Sequence, residues 1–283
     1  MRSTIRAGDR NLGPGPVIFG ILNVTPDSFS DGGEFSKRDV AVARAASMLD
    51  EGADVIDIGG ESTRPGSEPV SPEEEMRRVV PVIRGILEKH PRAIISVDTY
   101  RASTAVAALK AGARILNDVT ALRGDPEMAR AVAEAGCPVV LMHMLGEPKT
   151  MQRDPRYRDV VAEVRDFLAA RAEHAISAGV ASENIIFDPG IGFGKTLEHN
   201  LTLLNRLDEV VSLGFPVLLG ASRKGFLGRI SGVEEARDRV FGTVATSVMS
   251  YERGATFFRV HDVRPNREAL AVAAAVANIR SVR

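Results

Sequence analysis

The feature that most restricts the fold of this chain is a short unit that recurs along it. A helix-like segment ends in glycine, a small or apolar residue usually follows, and a β-rich run comes next. Gly52-Ala53 leads into Val55-Ile56-Asp57-Ile58, and Gly112-Ala113 into Ile115-Leu116-Asn117. Gly136-Cys137 leads into Val139-Val140-Leu141, Gly214-Phe215 into Val217-Leu218-Leu219, and Gly254-Ala255 into Phe257-Phe258-Arg259-Val260. Glycine suits the left-handed position that ends a helix, so each instance reads as a helix stop followed by a strand. Val17 to Leu22, Ala93 to Val97 and Ile185 to Phe187 complete the strand set. All are short, continuous and apolar, as expected where both faces are covered.

Helices fill the gaps. Ser71-Pro72-Glu73-Glu74 has the form of a capping box with proline at the first helical position. Behind it, Met76, Val79, Val80, Ile83 and Leu87 form an apolar stripe at helical spacing, and Pro81 is expected to kink that helix. Asp125-Pro126 opens another helix that Gly136 closes. Alternating strands and helices predict α/β architecture, as a parallel barrel or a doubly wound open sheet. Nearly every strand ends in a polar residue: Asn23, Asp57, Asp98, Asn117, His143, Asp188, Ser222, then Arg259 with His261. Barrel enzymes build their sites at that end of the strands, whereas an open sheet gathers them at one switch point. The expectation is a single (β/α)8 TIM barrel over residues 1–283, with 1–15 as an N-terminal extension and the active site at the C-terminal ends of the strands.

Its 283 residues match the length such a barrel needs, and 44% are hydrophobic. A net charge of -1 argues against nucleic acid as the main partner. The single cysteine, Cys137, rules out an internal disulfide and a cysteine metal site, and its apolar setting reads as a buried thiol. The start is polar, without the apolar core of a secretory leader, and no apolar stretch approaches a membrane span. A cytoplasmic location is the expectation.

Two loops after the first two strands are Gly-, Ser- and Asp-rich: Asn23-Val24-Thr25-Pro26-Asp27-Ser28-Phe29-Ser30-Asp31-Gly32-Gly33 and Asp57-Ile58-Gly59-Gly60-Glu61-Ser62-Thr63-Arg64-Pro65-Gly66. Hard oxygen ligands and an arginine on the catalytic face suit a covered anion site. These stretches resemble two signatures of the dihydropteroate synthase family. The likeness continues through Ser96-Val97-Asp98-Thr99, Ile115 to Asp118, Val140 to His143, Phe187 to Lys195, Ala221 to Lys224 and Arg259 to Val263, in the family's order and spacing.

The resemblance implies a barrel transferase that condenses 6-hydroxymethyl-7,8-dihydropterin diphosphate with p-aminobenzoate, with Mg²⁺ and as a homodimer. It places Asp98, Asn117, Asp188 and Lys224 around the pterin, where carboxylates accept from the ring's donors. Arg259 and His261 would take the diphosphate, beside the helix that begins near Pro265. Thr63 and Arg64 would touch the pterin diphosphate or order the loops, and Asn23 would ligate Mg²⁺. Phe29, Pro65, Phe193 and Ser222 would border the p-aminobenzoate. Asp98, Lys224, Arg259 and His261 would carry the chemistry.

Gly190-Ile191-Gly192-Phe193-Gly194-Lys195-Thr196 imitates a phosphate-binding loop, but a P-loop needs glycine where Pro189 stands. His90, His174 and His199 lack ligand spacing. Two rival readings are a pterin-binding methyltransferase module, which has no use for a diphosphate grip, and a non-catalytic paralogue, against which the complete residue set argues.

Overall fold

The computed structural model describes residues 4–25, 34–62, 68–147 and 149–280. Its elements in chain order are β1 (Ile5–Ala7), β2 (Arg10–Leu12), β3 (Val17–Asn23), α1 (Glu34–Asp50), β4 (Val55–Gly59), α2 (Pro72–Lys89), β5 (Ile94–Asp98), α3 (Ala102–Ala111), β6 (Ile115–Asp118), α4 (Met128–Ala135) and β7 (Val139–Met142). They continue with α5 (Val160–Ser177), β8 (Ile185–Asp188), α6 (Leu197–Asn205), α7 (Leu207–Val211), β9 (Leu218–Leu219), α8 (Gly225–Ser231), α9 (Val240–Glu252), β10 (Phe257–Val260) and α10 (Val263–Arg280). Strands β3 to β10 form one parallel sheet in the order β8-β7-β6-β5-β4-β3-β10-β9. A parallel bridge between Phe187 and Val217 joins the two ends, so the sheet closes into the expected barrel.

Side-chain parity along each strand sorts the barrel. One set of alternate residues (Val17, Phe19, Val55, Ile94, Ile115, Val140, Ile186, Leu218 and Phe257) forms a single apolar cluster inside the lower barrel. The intervening residues, such as Ile18, Ile56, Ile95, Leu116, Leu141, Phe187 and Phe258, belong to the larger cluster under the helices. Two residues further along five of the eight inward-facing rows, the character changes: Asp57, Ser96, Asn117, Asp188 and Arg259 replace the apolar side chains, while Ile21, Met142 and Gly220 follow in the other three. Successive strand side chains point to opposite faces, so this switch separates a dry floor from a polar mouth.

The floor is sealed by a hairpin of β1 and β2, absent from the sequence expectation, which adds Ile5, Ala7 and Leu12 to the inner cluster. The five helix-stop glycines all adopt positive φ, from 59° at Gly136 to 115° at Gly112. Ser71 caps α2 by accepting from Glu74 N–H at 3.2 Å, and the helix runs from Pro72 to Lys89 past Pro81.

Candidate active site

An arginine crosses the mouth. Arg259 Nε–H donates to Asp57 Oδ2 at 2.6 Å, and its Nη2 donates to Asp98 Oδ2 at 2.7 Å. Asp57 is fully buried, and it also accepts from Asn117 Nδ2 at 3.3 Å. Strands β4, β5, β6 and β10 are thus tied together by one charged network. The guanidinium, expected from the sequence to point at a diphosphate, is held between two carboxylates. Burial pulls its proton affinity down, but Asp57 and Asp98 raise it above the ordinary arginine value. Asp57, singled out in the sequence only as a polar strand end, is the anchor of this network.

Asp98 closes β5. Burial pushes its carboxyl up to about 7, with Asp57, Glu75 and Asp118 adding to the rise and Arg259 opposing it. The carboxyl therefore titrates near neutrality. Asn23, at the end of β3, is paired in register with Gly59. Asn23 Oδ1 and Asp98 Oδ2 lie 3.6 and 3.8 Å from the point a Cβ on Gly59 would occupy. Both oxygens therefore border the space that a side chain at Gly59 would fill. Among the described residues no group of three or more His, Cys, Asp or Glu side chains gathers as a metal cage. The local oxygens fit a hard cation held by one or two protein ligands, with the remaining shell from substrate and water.

Asp188 ends β8, where Gly190 N–H donates to its Oδ1 at 2.7 Å and fixes the carboxylate's rotation. Burial raises its pKa, against Lys224, Gly190, Arg259 and Lys195. Lys224 is lowered to about 8 by burial, with Asp188 opposing and Arg259 adding to the fall. Its Nζ donates to Ile191 O and sits 4.5 Å from the centre of the Phe193 ring. That contact is a cation–π pair.

Ser222 and His261 meet at the ends of β9 and β10. The His261 backbone N–H donates to Ser222 Oγ at 3.1 Å, and Nδ1 lies 3.0 Å from the same oxygen. One hydroxyl oxygen therefore serves both the backbone and the ring of His261. Ser222, expected beside the p-aminobenzoate, therefore also orients His261. Arg223 Nε donates to Asp262 Oδ2 at 2.9 Å and Nη2 to Oδ1 at 2.5 Å, with its backbone at φ 59°. This bidentate clasp joins the two loops that carry Lys224 and His261. The motifs contained both partners, but nothing in their spacing paired them. Phe29, Thr63, Arg64 and Pro65 lie outside the described residues.

A second network stands behind the loop after β4. Arg101 Nη1 donates to Glu75 Oε2 at 2.9 Å, and Nη2 donates to Glu61 Oε2 and Val70 O, both at 2.7 Å. Tyr100 O–H adds a bond to Glu61 Oε1 at 2.9 Å. The two flanks of that loop, at Glu61 and Val70, are therefore held by one side chain.

Inward polar side chains at the strand ends of a closed parallel barrel, with an acidic pocket beside a lysine, define a barrel enzyme whose ligand is rich in hydrogen-bond donors. The sequence profile of the pterin binding enzyme family matches residues 19–261. The chain belongs to that family, and within it to the dihydropteroate synthases. It is 46% identical over 259 residues to the dihydropteroate synthase of Synechocystis, covering 92% of this chain and 89% of that one. The crystal structure of Xanthomonas albilineans dihydropteroate synthase with 4-aminobenzoic acid superposes with a TM-score of 0.92 at 45% identity, over 98% of this chain and 99% of that one. The same enzyme in complex with 7,8-dihydropteroate gives 0.88 at 43% identity, over 97% and 98%.

Proposed function

We propose that the mouth of this barrel joins 6-hydroxymethyl-7,8-dihydropterin diphosphate to p-aminobenzoate, giving 7,8-dihydropteroate and diphosphate. The observation that carries this reading is the gathering of Asp98, Asn117 and Asp188, from three strand ends, with Lys224 from the β9–α8 loop, around Arg259 at the polar mouth. Relatives more than 40% identical, crystallised with the arylamine substrate and with the product, support it.

Each residue then has a task. The carboxylates of Asp98 and Asp188 and the amide of Asn117 match the donor-rich amino-pyrimidinone edge, and Lys224 donates to the ring's carbonyl and N5 side. The C–O bond to diphosphate breaks, and the leaving group takes the electron pair. The pterin methylene gains positive charge that spreads into the ring, and ionised Asp98 beside it stabilises that charge. The aniline nitrogen then forms the C–N bond and sheds its proton to solvent. Because Arg259 is bound to Asp57 and Asp98, it holds Asp98 in place as well as lending positive field to the departing diphosphate. His261, held by Ser222, presents its imidazole to the same oxygens. Asn23 would hold Mg²⁺, which when bound supplies charge neutralisation for the diphosphate. Phe193, with Lys224 over its ring, forms one wall of the p-aminobenzoate side.

A homodimer is part of the same reading. Phe241 on α9 is 87% exposed, and Met249 on α9, Val272, Val276 and Ile279 on α10 and Ile230 on α8 are exposed too. Helices α9 and α10 pack against one another, so these side chains share one side of the barrel. A patch of this kind marks an association surface. Sedimentation of the wild type as a dimer and of Phe241→Glu as a monomer checks it. No described helix is long and apolar enough to cross a membrane, which is compatible with a cytoplasmic enzyme.

The deciding assay measures diphosphate released from the pterin substrate with Mg²⁺, with and without p-aminobenzoate. Release dependent on both, with stoichiometric dihydropteroate, supports the synthase. Pterin binding without release favours the non-catalytic paralogue, and no pterin binding removes the pocket altogether.

A further inference from the structure

The loop between β8 and α6 is held to an unusual degree. Five successive backbone carbonyls, from Gly190 to Gly194, each accept a hydrogen bond from a side chain. Lys195 Nζ donates to Gly190 O at 2.9 Å and to Phe193 O at 3.0 Å. Lys224 Nζ takes Ile191 O, Gln152 Nε2 takes Gly192 O at 2.6 Å, and Tyr157 O–H takes Gly194 O at 2.8 Å. Gly192 N–H in turn donates to Asn200 Oδ1 at 2.7 Å. The path admits no side chain at Gly190, where φ is 68° and a Cβ would stand 1.8 Å from His143 O.

Of the side chains that hold these carbonyls, Lys195 is the most deeply buried. Its residue is 3% exposed, and its amine is enclosed by the loop and the end of β7. Besides the two carbonyls, Nζ lies 2.9 Å from His143 Nδ1. Three partners satisfy this nitrogen in either state. An ammonium donates three times, with Nδ1 accepting. A neutral amine donates twice and accepts from Nδ1–H. The amine therefore ties the loop to the end of β7 whatever its charge. An amine buried this deeply is a costly way to close a loop, so the geometry it imposes is the thing to explain. That geometry fixes two ligand-facing groups. Phe193 is packed against Val119, Met142, Met144 and Met151 on one side and lies under Lys224 on the other.

We propose that Lys195 is a positioning residue for the arylamine substrate: by anchoring Gly190 O and Phe193 O to the His143 ring, it sets the Phe193–Lys224 wall. The inference rests on the reading of that wall as the p-aminobenzoate side of the site. Its consequence is selective. Loss of the amine lets Phe193 wander and weakens the arylamine most; the pterin pocket is affected less, because Asp98 and Asn117 stand on other strands while Asp188 and Lys224 keep their own bonds to Gly190 N–H and Ile191 O.

The test is steady-state kinetics of the full chain carrying Lys195→Met, with pterin binding measured separately by calorimetry. The expected result is a KM for p-aminobenzoate raised about tenfold, with the kcat and the pterin dissociation constant each within about threefold of wild type, the pattern of lost binding that is equal in ground and transition states. Lys195→Gln, which keeps two N–H donors, should recover part of the loss, and it carries the test if Lys195→Met does not accumulate. A wild-type KM in a folded variant overturns the proposal. So does an equal loss of pterin affinity, which would mean general loosening. Failure of both variants to fold assigns the amine to stability and also overturns it. Wild-type protein without diphosphate release would instead sink the proposed reaction, so the two failures are distinguishable.

Discussion

The two ends of the barrel use the same strands for opposite purposes. At the floor, Phe19, Val55, Ile94, Ile115, Val140, Ile186, Leu218 and Phe257 fill the interior, and the hairpin side chains of Ile5, Ala7 and Leu12 close it. Two residues further along, five of these strands carry Asp57, Ser96, Asn117, Asp188 and Arg259 at the inward positions. The floor is held by close packing, which has no preferred charge state and little to lose with pH. The mouth is held by buried charges whose cost is offset only while each keeps its partner. The fold thus concentrates stability in one layer and reactivity in the next. A substitution should reveal which layer it sits in by which of the two properties it damages.

The sharpest way to break that division is Arg259→Met. It removes the cation from fully buried Asp57 as well as from Asp98, so both properties should suffer. Turnover should fall by about a thousandfold, and denaturant unfolding should show a loss of about 3–5 kcal/mol from the stranded carboxylates. A small change in both would mean the network is ornamental.

Next in size is Phe257→Ala in the floor, expected to cost about 3–5 kcal/mol through the cavity it leaves. The rate per folded molecule should stay close to wild type. A large kcat loss with an intact pterin site would erase the distinction between layers.

The pH dependence separates them further. Asp98, raised to about 7, must be ionised, and Lys224, lowered to about 8, must be charged. The kcat/KM for the pterin substrate, which reports the free enzyme, should rise through about pH 7 and fall beyond about pH 8. Stability follows the opposite sign for Asp98. Its folded carboxyl binds its proton more tightly than the unfolded one, so its contribution is greatest below about pH 4 and is lost as pH rises through about 7. Asp98→Asn should flatten that decline in thermal melts, whereas no floor substitution should alter its slope.

The smallest expected effect sharpens the floor itself. Ile5→Val in the hairpin should cost about 0.5–1.5 kcal/mol and leave the rate unchanged. A measurable rate change there would mean that the seal reaches the mouth.

Much of this was legible in the sequence, for a physical reason. Helix-stop glycines and continuous apolar strands are local signals, and they located every barrel strand to within a residue or two. For β4 the reading of Val55 to Ile58 became Val55–Gly59, and for β8 Ile185 to Phe187 became Ile185–Asp188. The polar residue after each apolar run located the mouth. The hairpin of β1 and β2 was missed because its strands are three residues long, although the two-residue Gly8-Asp9 connection, with Gly8 at φ 64°, carried a turn signal. Partnerships were not legible. Arg259 with Asp57 spans 202 positions and Arg223 with Asp262 spans 39, and no local pattern pairs residues over such separations. Lys195 was visible as the end of the Phe187 to Lys195 likeness and in a failed phosphate loop, but not as a loop anchor, because the inward turn of its side chain depends on His143 at the end of another strand.

The way the barrel closes has a mechanical consequence. Strand β9 is two residues long and meets β8 through one bridge, Phe187 to Val217, supported by Phe187 N–H to Pro216 O at 2.8 Å. The β9–β10 joint has two paired positions, and the other joints around the ring are ladders of three or more. Breathing of the ring is therefore concentrated on either side of β9, directly below Ser222 and Lys224, and amide exchange should be fastest there among the barrel strands. A cylinder stitched tightly around most of its circumference and loosely at one stave can change the width of its mouth without disturbing its base.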